Sequence, residues 1–465
     1  MASRIERPKR LRVRMTPAAR LSAAIDLLCA IQSAPRRPAD ATANAFFRDR
    51  RYIGGGDRRA VSAMVWDVLR GWRRLHWHLR ETHGEISPRL LCAASALLSG
   101  MNMDVVRQLF SGERYAQSPL TSREDIALKD LEGKQLSSRQ QTLAVRLEYP
   151  DWIEKTLKET FGPRLEDEMA AMLGTPTLDL RVNLLKADRD KALDALRRES
   201  LKAVPTKLSP WGLRLDGRQP VTATQAFRDG LIEIQDEGSQ LVVAAVGATP
   251  QHKVVDYCAG AGGKTLALAM TMNNRGRITA CDVHDKRLAG AEKRLRRAGV
   301  HNAEAHLLVT GDKWAKRHSA SFDRVLVDAP CSGTGTWRRN PDARMRLTPQ
   351  DIEELVVKQS EILDRAASLV KPGGRMIYAT CSLLACENGQ QIDAFLKRRA
   401  DFRRVAKEEM PDLLPAELRE KAQFSLTPLR DETDGFFACV MERIVEPKVE
   451  APKAEEPIAE ADPAT

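Results

Sequence analysis

This 465-residue chain has no apolar run long enough to cross a bilayer: the longest, Leu90 to Leu98, falls far short of the ~18 residues a span needs. Its eight cysteines include no CxxC pair and no regular spacing, which excludes a disulfide framework. No signal-peptide core follows the arginine-rich start, because Asp26 interrupts the first apolar stretch. A reducing, cytoplasmic compartment is the expectation. What remains, 43% hydrophobic and 29% charged residues, suits a globular protein of roughly three domains at about 150 residues each.

Acidic residues are scarce where the chain begins. Residues 1–90 hold 19 Lys and Arg against 8 Asp and Glu, whereas the tail 446–465 holds 2 Lys against 6 acids. The net charge of +11 therefore concentrates at one end, as expected for a polyanion partner such as nucleic acid or, more plainly, for an arginine-rich helical surface. Residues 1–14 read as a disordered basic arm and 446–465, rich in Pro, Ala and Glu, as a disordered tail.

From Thr16 to about Glu148 the pattern is helical. Its clearest segment takes Asp57 as N-cap and sets Met64, Val65, Val68, Leu69, Trp72, Leu75 and Leu79 on one face. Arg58, Arg59, Arg70, Arg73, Arg74 and Arg80 fall on the other. A Tyr149-Pro150-Asp151 break opens a small α/β unit: a strand over 178–185, a helix over 188–198 and a hairpin over 201–215. Beyond residue 240, strands at 253–257, 278–282, 305–308, 322–328 and 375–380 alternate with helices at 285–298 and 348–370. That alternation predicts a doubly wound parallel sheet, in which ligands bind beyond the carboxyl ends of the strands.

The unusual residues lie at those ends. Asp256-Tyr257-Cys258-Ala259-Gly260-Ala261-Gly262-Gly263-Lys264-Thr265 is a small-residue loop opening a helix, suited to close approach by a ligand. A P-loop would need Gly at position 258, and a dinucleotide fingerprint would need Gly at 265. S-adenosylmethionine needs neither, only a loop for its methionine end and an acid for its ribose, a role Asp282 suits; Asp312 would edge the adenine. Asp328-Ala329-Pro330-Cys331 and Thr380-Cys381-Ser382 put two cysteines at neighbouring strand ends. A thiol suits attack on a pyrimidine ring carbon, though a buried strand-end cysteine is common. Cys386 lies near Cys381, but no His/Cys pair accompanies them, so no metal is expected.

These residues, with Arg338-Arg339-Asn340-Pro341-Asp342, Leu180-Arg181-Val182-Asn183, Gln235-Asp236-Glu237-Gly238-Ser239-Gln240 and Asp434-Gly435-Phe436-Phe437, resemble the Fmu/Sun (NOL/NOP/Sun) RNA cytosine-5 methyltransferases over about 145–443. The helical region, through Val68-Leu69-Arg70-Gly71, is similar to the NusB-like domain of bacterial RsmB-type members. One departure stands out: Gly260-Ala261 replaces the family's Ala-Pro, which should loosen the loop. The resemblance implies a class I methyltransferase (Rossmann-like) α/β domain over 236–445, preceded by a small α/β RNA-binding unit over 149–235 and an all-helical domain over 15–148. It implies Cys381 as nucleophile on cytosine carbon 6, Cys331 assisting loss of the carbon-5 proton, Asp328 holding the base near ring nitrogen 3, and Lys264 beside them. The donor, S-adenosylmethionine, would be held by Cys258, Ala259, Gly260, Ala261, Gly262, Gly263, Lys264, Asp282, Asp312 and Asp328. In DNA carbon-5 methyltransferases the Pro-Cys thiol is itself the nucleophile, so sequence logic leaves the two cysteines exchangeable and the resemblance alone assigns 381. The expected partner is RNA, ribosomal before transfer RNA, with no membrane and a monomeric chain. A non-catalytic RNA-binding assembly factor is the alternative.

Overall fold

The computed structural model describes residues 14–217 and 219–445. The tail 446–465, and the basic arm apart from Arg14, lie outside the described residues.

The first region is all helical. Pro17–Gln32 runs through its centre, with Ala24, Leu27 and Leu28 fully buried, and packs on Gly55–Arg70 and Pro88–Leu98. The helices start where side chains can take up free N–H groups: Thr16, Ser87 and Asn102 each accept one, and Thr121 with Glu124 forms a capping box. The expected Asp57 cap is corrected. Gly54 holds the N-cap position, and Asp57, one turn in, is a buried carboxylate taking Arg20 Nε at 2.8 Å.

The single long helix expected through Leu79 is instead two, Gly55–Arg70 and Trp72–Glu81, broken at Gly71. The break frees the N–H groups of Arg73 and Arg74, and the Glu148 carboxylate accepts both, at 2.8 and 3.1 Å. The arginine face is corrected with it. Arg74 is buried and binds Glu148 at 2.9 Å, and Arg73 reaches Asp151 at 2.7 Å, so these two charges fasten the helices to the following segment. Arg59 and Arg80 are exposed.

That segment holds two helices absent from the sequence reading, Glu154–Phe161 and Leu165–Ala171. Neither has a side-chain cap; both are held by packing against Trp337, Leu383 and Leu384, which follow the strands of the large sheet. An antiparallel sheet follows, with strands β1 (Leu178–Val182), β2 (Ala203–Pro205), β3 (Gly212–Leu215) and β4 (Ile232–Ile234) in the order β2-β3-β1-β4. The predicted hairpin is β2 and β3, and the predicted helix is Arg189–Arg198, capped by Asp188. The first strand stops at Val182 because the Asn183 side chain turns the backbone, accepting from Leu185 N and donating to Gly230 O and Ala298 O.

The large sheet comprises β5 (Lys253–Asp256), β6 (Arg277–Asp282), β7 (Ala303–Leu307), β8 (Phe322–Asp328), β9 (Val370–Thr380), β10 (Phe402–Arg404), β11 (Gln423–Leu426) and β12 (Phe436–Arg443). Its order is β10-β12-β9-β8-β5-β6-β7, with β11 also on β12. β5 to β9 are parallel, while β12 runs antiparallel to β9. Asp285–Ala298 buries Leu288, Ala291, Leu295 and Ala298, the face its spacing predicts. Pro349–Ala367 starts on the predicted Thr348 cap but ends short of Val370, which already belongs to β9. The strand order reverses between β5 and β8, and a doubly wound sheet opens its ligand crevice at such a switch point.

Candidate active site

Both sides of the crevice start from register. β5 and β8 are parallel neighbours, as are β8 and β9, and Asp328 pairs with Ala379. The loops leaving β5, β8 and β9 therefore emerge side by side.

On the β5 side the backbone makes the site. Ala259 N donates to Cys281 O at 2.8 Å, Gly262 N to Ala259 O at 2.9 Å, and Gly260 N to Asp282 Oδ2 at 2.8 Å. Arg294 Nη1 reaches Ala261 O at 2.8 Å and Arg181 Nη1 reaches Gly263 O at 2.9 Å. The loop in which Gly260-Ala261 stands is thus tied at five points. Gly262, at φ +75°, turns the chain into helix Gly263–Thr271, whose first N–H groups carry no side-chain cap. Asp282 is buried, its other oxygen accepting from His284 N at 2.8 Å. Asp312, beyond β7, takes Trp314 N at 2.8 Å and His306 Nε2 at 2.6 Å, and the Trp314 backbone bond comes first in holding its carboxyl below the usual range. Cys258 is half-buried at the loop's base, and burial pushes its thiol up.

Asp256 was not among the expected site residues. It is fully buried; one oxygen takes Thr265 Oγ1 at 2.7 Å and the other has no partner among the described residues. Burial pushes it up to about 6.

On the other side, side chains make the site. Lys264 Nζ meets Asp328 Oδ2 at 2.6 Å, bridging the two halves of the crevice. Burial alone would draw the Lys264 ammonium down, but Asp328 outweighs it and the group sits above its usual range. The Cys331 and Cys381 sulfurs are 3.5 Å apart. The contact with Cys381, then burial, holds the Cys331 thiol well above the ordinary cysteine range.

Sequence reasoning missed what braces these thiols. Glu387 is fully buried, with Oε1 accepting from Ser332 N at 2.8 Å and Gln359 Nε2 at 2.9 Å. Its Oε2 takes the hydroxyls of Ser332, at 2.5 Å, and Ser382. One carboxylate thus ties the residue after Cys331 to the residue after Cys381. Gly335 N also donates to Cys381 O at 2.9 Å, and a Cβ at Gly335 would fall 2.2 Å from Gly435 O, so only glycine lets these loops cross. Three separately noted motifs meet beside them: Arg339 binds Asp236 at 2.7 Å and Asp434, while Arg338 binds Asp434 at 2.7 Å. Among the described residues no cluster of three or more His, Cys, Asp or Glu suits a metal, and no helix is long and apolar enough to cross a membrane.

Residues 243–442 match the model of the 16S rRNA methyltransferase RsmB/F family, and 149–222 match the ferredoxin-like domain of RsmF/B-like methyltransferases. A probable ribosomal RNA small subunit methyltransferase B of Bacillus subtilis is 33% identical over 65% of this chain and 68% of its own length. Ribosomal RNA small subunit methyltransferase B of Photorhabdus laumondii is 34% identical over 62% and 65%. The solved structure of PH0851 shares the fold over 92% of this chain and 99% of its own, with TM-score 0.74 at 24% identity. A methyltransferase homologue from Pyrococcus horikoshii aligns over 65% of this chain and 98% of its own, with TM-score 0.55 at 28% identity. With a crevice at the switch point and these relatives, the chain belongs to the RsmB/F family of methyltransferases, whose methyl donor is S-adenosylmethionine.

Proposed function

We propose that this chain methylates carbon 5 of a cytosine in small-subunit ribosomal RNA through a covalent adduct between Cys381 and carbon 6. The observation that carries the reading is the pair of sulfurs 3.5 Å apart beside the Lys264–Asp328 ion pair. That the relatives are ribosomal RNA small subunit methyltransferases points to the RNA class.

The residues present fit the donor. The uncapped helix start after Gly262 suits its carboxylate, and the unpartnered Asp256 oxygen suits a nearby positive group. Cys258, Ala259, Gly260, Ala261, Gly262, Gly263 and Lys264 would line its methionine end. Asp282 would take the ribose hydroxyls, Asp312 the adenine edge, and Asp328 would close the site toward the base. S-adenosylmethionine, when bound, supplies an electrophilic methyl group on a sulfonium.

Cys381 gives its proton to solvent and adds to carbon 6 as thiolate, with the Cys331 sulfur 3.5 Å away. Asp328, steadied by Lys264, holds the base near ring nitrogen 3, and the ammonium offsets charge that develops as the thiolate adds. Carbon 5 then has the electron density to accept the methyl group. Cys331, having given its own proton to solvent, takes the carbon-5 proton as thiolate. Elimination then releases Cys381 as thiolate. Because a thiol must reach carbon 6, the target base is unstacked, in a loop or flipped.

We assign residues 15–148 and 149–235 to holding flanking RNA and 236–445 to catalysis, in a monomer acting in the cytoplasm. The test is a denaturing gel of protein with labelled RNA and donor. The expected result is an adduct that accumulates in Cys331→Ala and is absent in Cys381→Ala. The reverse pattern makes Cys331 the nucleophile. Neither adduct nor methyl transfer to any RNA pool, transfer RNA included, leaves a binding factor.

A further inference from the structure

The segment that leads into β12 touches both halves of the crevice within three residues. Gly435 N donates to Gly335 O at 2.8 Å, and Gly335 N donates in turn to Cys381 O at 2.9 Å. Phe436 follows, with the Lys264 ammonium 5.8 Å from its ring centre, and that ammonium is the one bonded to Asp328. Phe437 then pairs with Thr380, the residue before Cys381. A shift of this segment would therefore move the Cys381 backbone and the Lys264–Asp328 pair at once.

Asp434 holds the segment at its start. It is 2% exposed, and its two carboxylate oxygens serve different guanidiniums: Oδ1 takes Arg338 Nε at 2.7 Å and Oδ2 takes Arg339 Nε. Its own N–H donates to Asp236 Oδ2 at 3.1 Å. The partners are themselves fixed. Asp236 caps helix Glu237–Val246, accepting from Gly238 N at 2.9 Å, and binds Arg339 Nη2 at 2.7 Å. Arg339 Nη1 reaches Thr177 O at 3.1 Å, just before β1.

Burying such a group of acids and guanidiniums gains little net stability, since the desolvation penalty offsets their attraction; what they fix is geometry. Nor is there slack beyond Asp434. A Cβ at Gly435 would stand 2.7 Å from Gly335 Cα and 2.6 Å from Leu383 Cδ2, so the position of Asp434 passes directly to the loop that bonds Cys381.

We propose that Asp434 is a positioning residue for the methyl transfer, setting Cys381 and the Lys264–Asp328 pair in register with each other. The proposal rests on the reading of Cys381 as nucleophile. Asp434 acts through Gly435 and Gly335 on the thiol, and through Phe436 on the ammonium.

The test follows adduct formation in a single turnover at saturating RNA and donor, with RNA Kd and donor KM measured alongside. Asp434→Asn keeps the shape but turns an amide N–H toward one of the two arginines. Its adduct rate is expected to fall about thirtyfold, with Kd and KM within about twofold of wild type. Glu432→Gln is the control. Glu432 lies in the same loop and ties it to the small α/β unit through Lys207 at 2.5 Å and Arg214 at 2.9 Å, rather than to Gly435 or Gly335. Its adduct rate should stay at the wild-type value. Arg338→Lys, which keeps the charge and loses the Nε bond, should slow adduct formation about fivefold. A wild-type rate in Asp434→Asn overturns the proposal, as does an equal fall in Glu432→Gln, the sign of a cluster that only fastens the small unit. If Asp434→Asn does not fold, Arg338→Lys decides: a wild-type rate overturns the proposal, and a fall at unchanged Kd and KM supports it. The unaltered protein separates the two readings. An adduct on Cys381 in wild type, with undiminished rates in the variants, removes only the positioning role; no adduct in wild type removes the nucleophile and this role with it.

Discussion

The two sides of the crevice are built by different means. The donor side, 256–265, is shaped by main chain: its loop is fixed mostly through backbone N–H and C=O groups, with Asp256–Thr265 at 2.7 Å as its internal side-chain bond. The thiol side, 328–335 and 380–388, is shaped by side chains converging on Glu387, with Thr380 Oγ1 to Asn388 Oδ1 at 2.6 Å and Tyr378 OH to Glu387 O at 2.7 Å completing the frame. A loop that cradles a ligand needs room and open N–H groups, which small residues provide. A nucleophile must sit within about half an ångström of its target, and that precision comes from locked side chains.

If the division holds, single changes on the thiol side should strike chemistry and those on the donor side should strike binding. The largest effect is expected for Cys381→Ala, which should lower methyl transfer by roughly a thousandfold or more while the melting temperature stays near wild type, since the residue is half-buried. Transfer assays with labelled donor read this directly. Residual transfer within tenfold of wild type would break the assignment.

Next comes Glu387→Ala. Removing this carboxylate strands the half-buried Ser332 N–H and hydroxyl and the buried Ser382 hydroxyl, at a cost of about 3 kcal/mol. Glu387→Gln keeps one acceptor oxygen and lets the hydroxyls turn to accept, so about 1 kcal/mol is expected. Denaturant unfolding measures both. In the Gln variant the adduct should form more slowly with donor KM unchanged, an effect that loss of stability alone does not produce. A changed donor KM with normal adduct formation would erase the contrast between the two sides.

What could be read in the sequence follows the same line. The face of Asp285–Ala298, the Asp188 cap and the hairpin over 201–215 follow from periodicity and turn chemistry, and the two cysteines stood out because their residue type is chemically rare at paired strand ends. Glu387 did not, because a single glutamate in a loop reads as solvated surface until Ser332 and Ser382 close over it. Helix Glu237–Val246 carries no amphipathic signal because all ten of its residues are buried. Glu154–Phe161 and Leu165–Ala171 lack caps and exist through contacts to Trp337, Leu383 and Leu384, far along the chain. Asp57 misled because a carboxylate near a helix start serves as well one turn inside, against Arg20, as at the cap itself.

On the donor side, Asp256 gives a pH-dependent contrast. Burial raises its folded value to about 6, against about 3.9 in an unfolded chain. The fold therefore binds this proton more tightly than the unfolded chain. The stability so gained is fully present below about pH 4 and is lost as pH rises through about 6, some 3 kcal/mol in all. Asp256→Asn does not titrate and keeps an oxygen for Thr265. Its stability relative to wild type should thus improve by about 3 kcal/mol from pH 4 to pH 8, by melting at matched ionic strength. Parallel pH profiles would show that the carboxylate is solvated or paired. Donor affinity should fall in the variant, since the charge facing a cationic ligand is gone.

The smallest effect expected is for Gly262→Ala, and it tests the donor side most directly. At φ +75° an alanine costs about 1 kcal/mol relative to glycine, and its Cβ would stand 2.8 Å from the Ala291 Cβ, so helix Asp285–Ala298 must yield slightly. A loss of about 1–2 kcal/mol in unfolding free energy follows. The helix start then shifts by tenths of an ångström, and the N–H groups that would meet the donor's carboxylate shift with it. Donor KM should rise about tenfold while saturating turnover and adduct formation remain near wild type, the pattern of an interaction equal in ground and transition states. Because Lys264 is two residues on and bonds Asp328, a larger shift would reach the thiol side as lowered turnover. The ratio of the two effects therefore measures how rigidly the Lys264–Asp328 bridge couples a backbone-built half to a side-chain-built one.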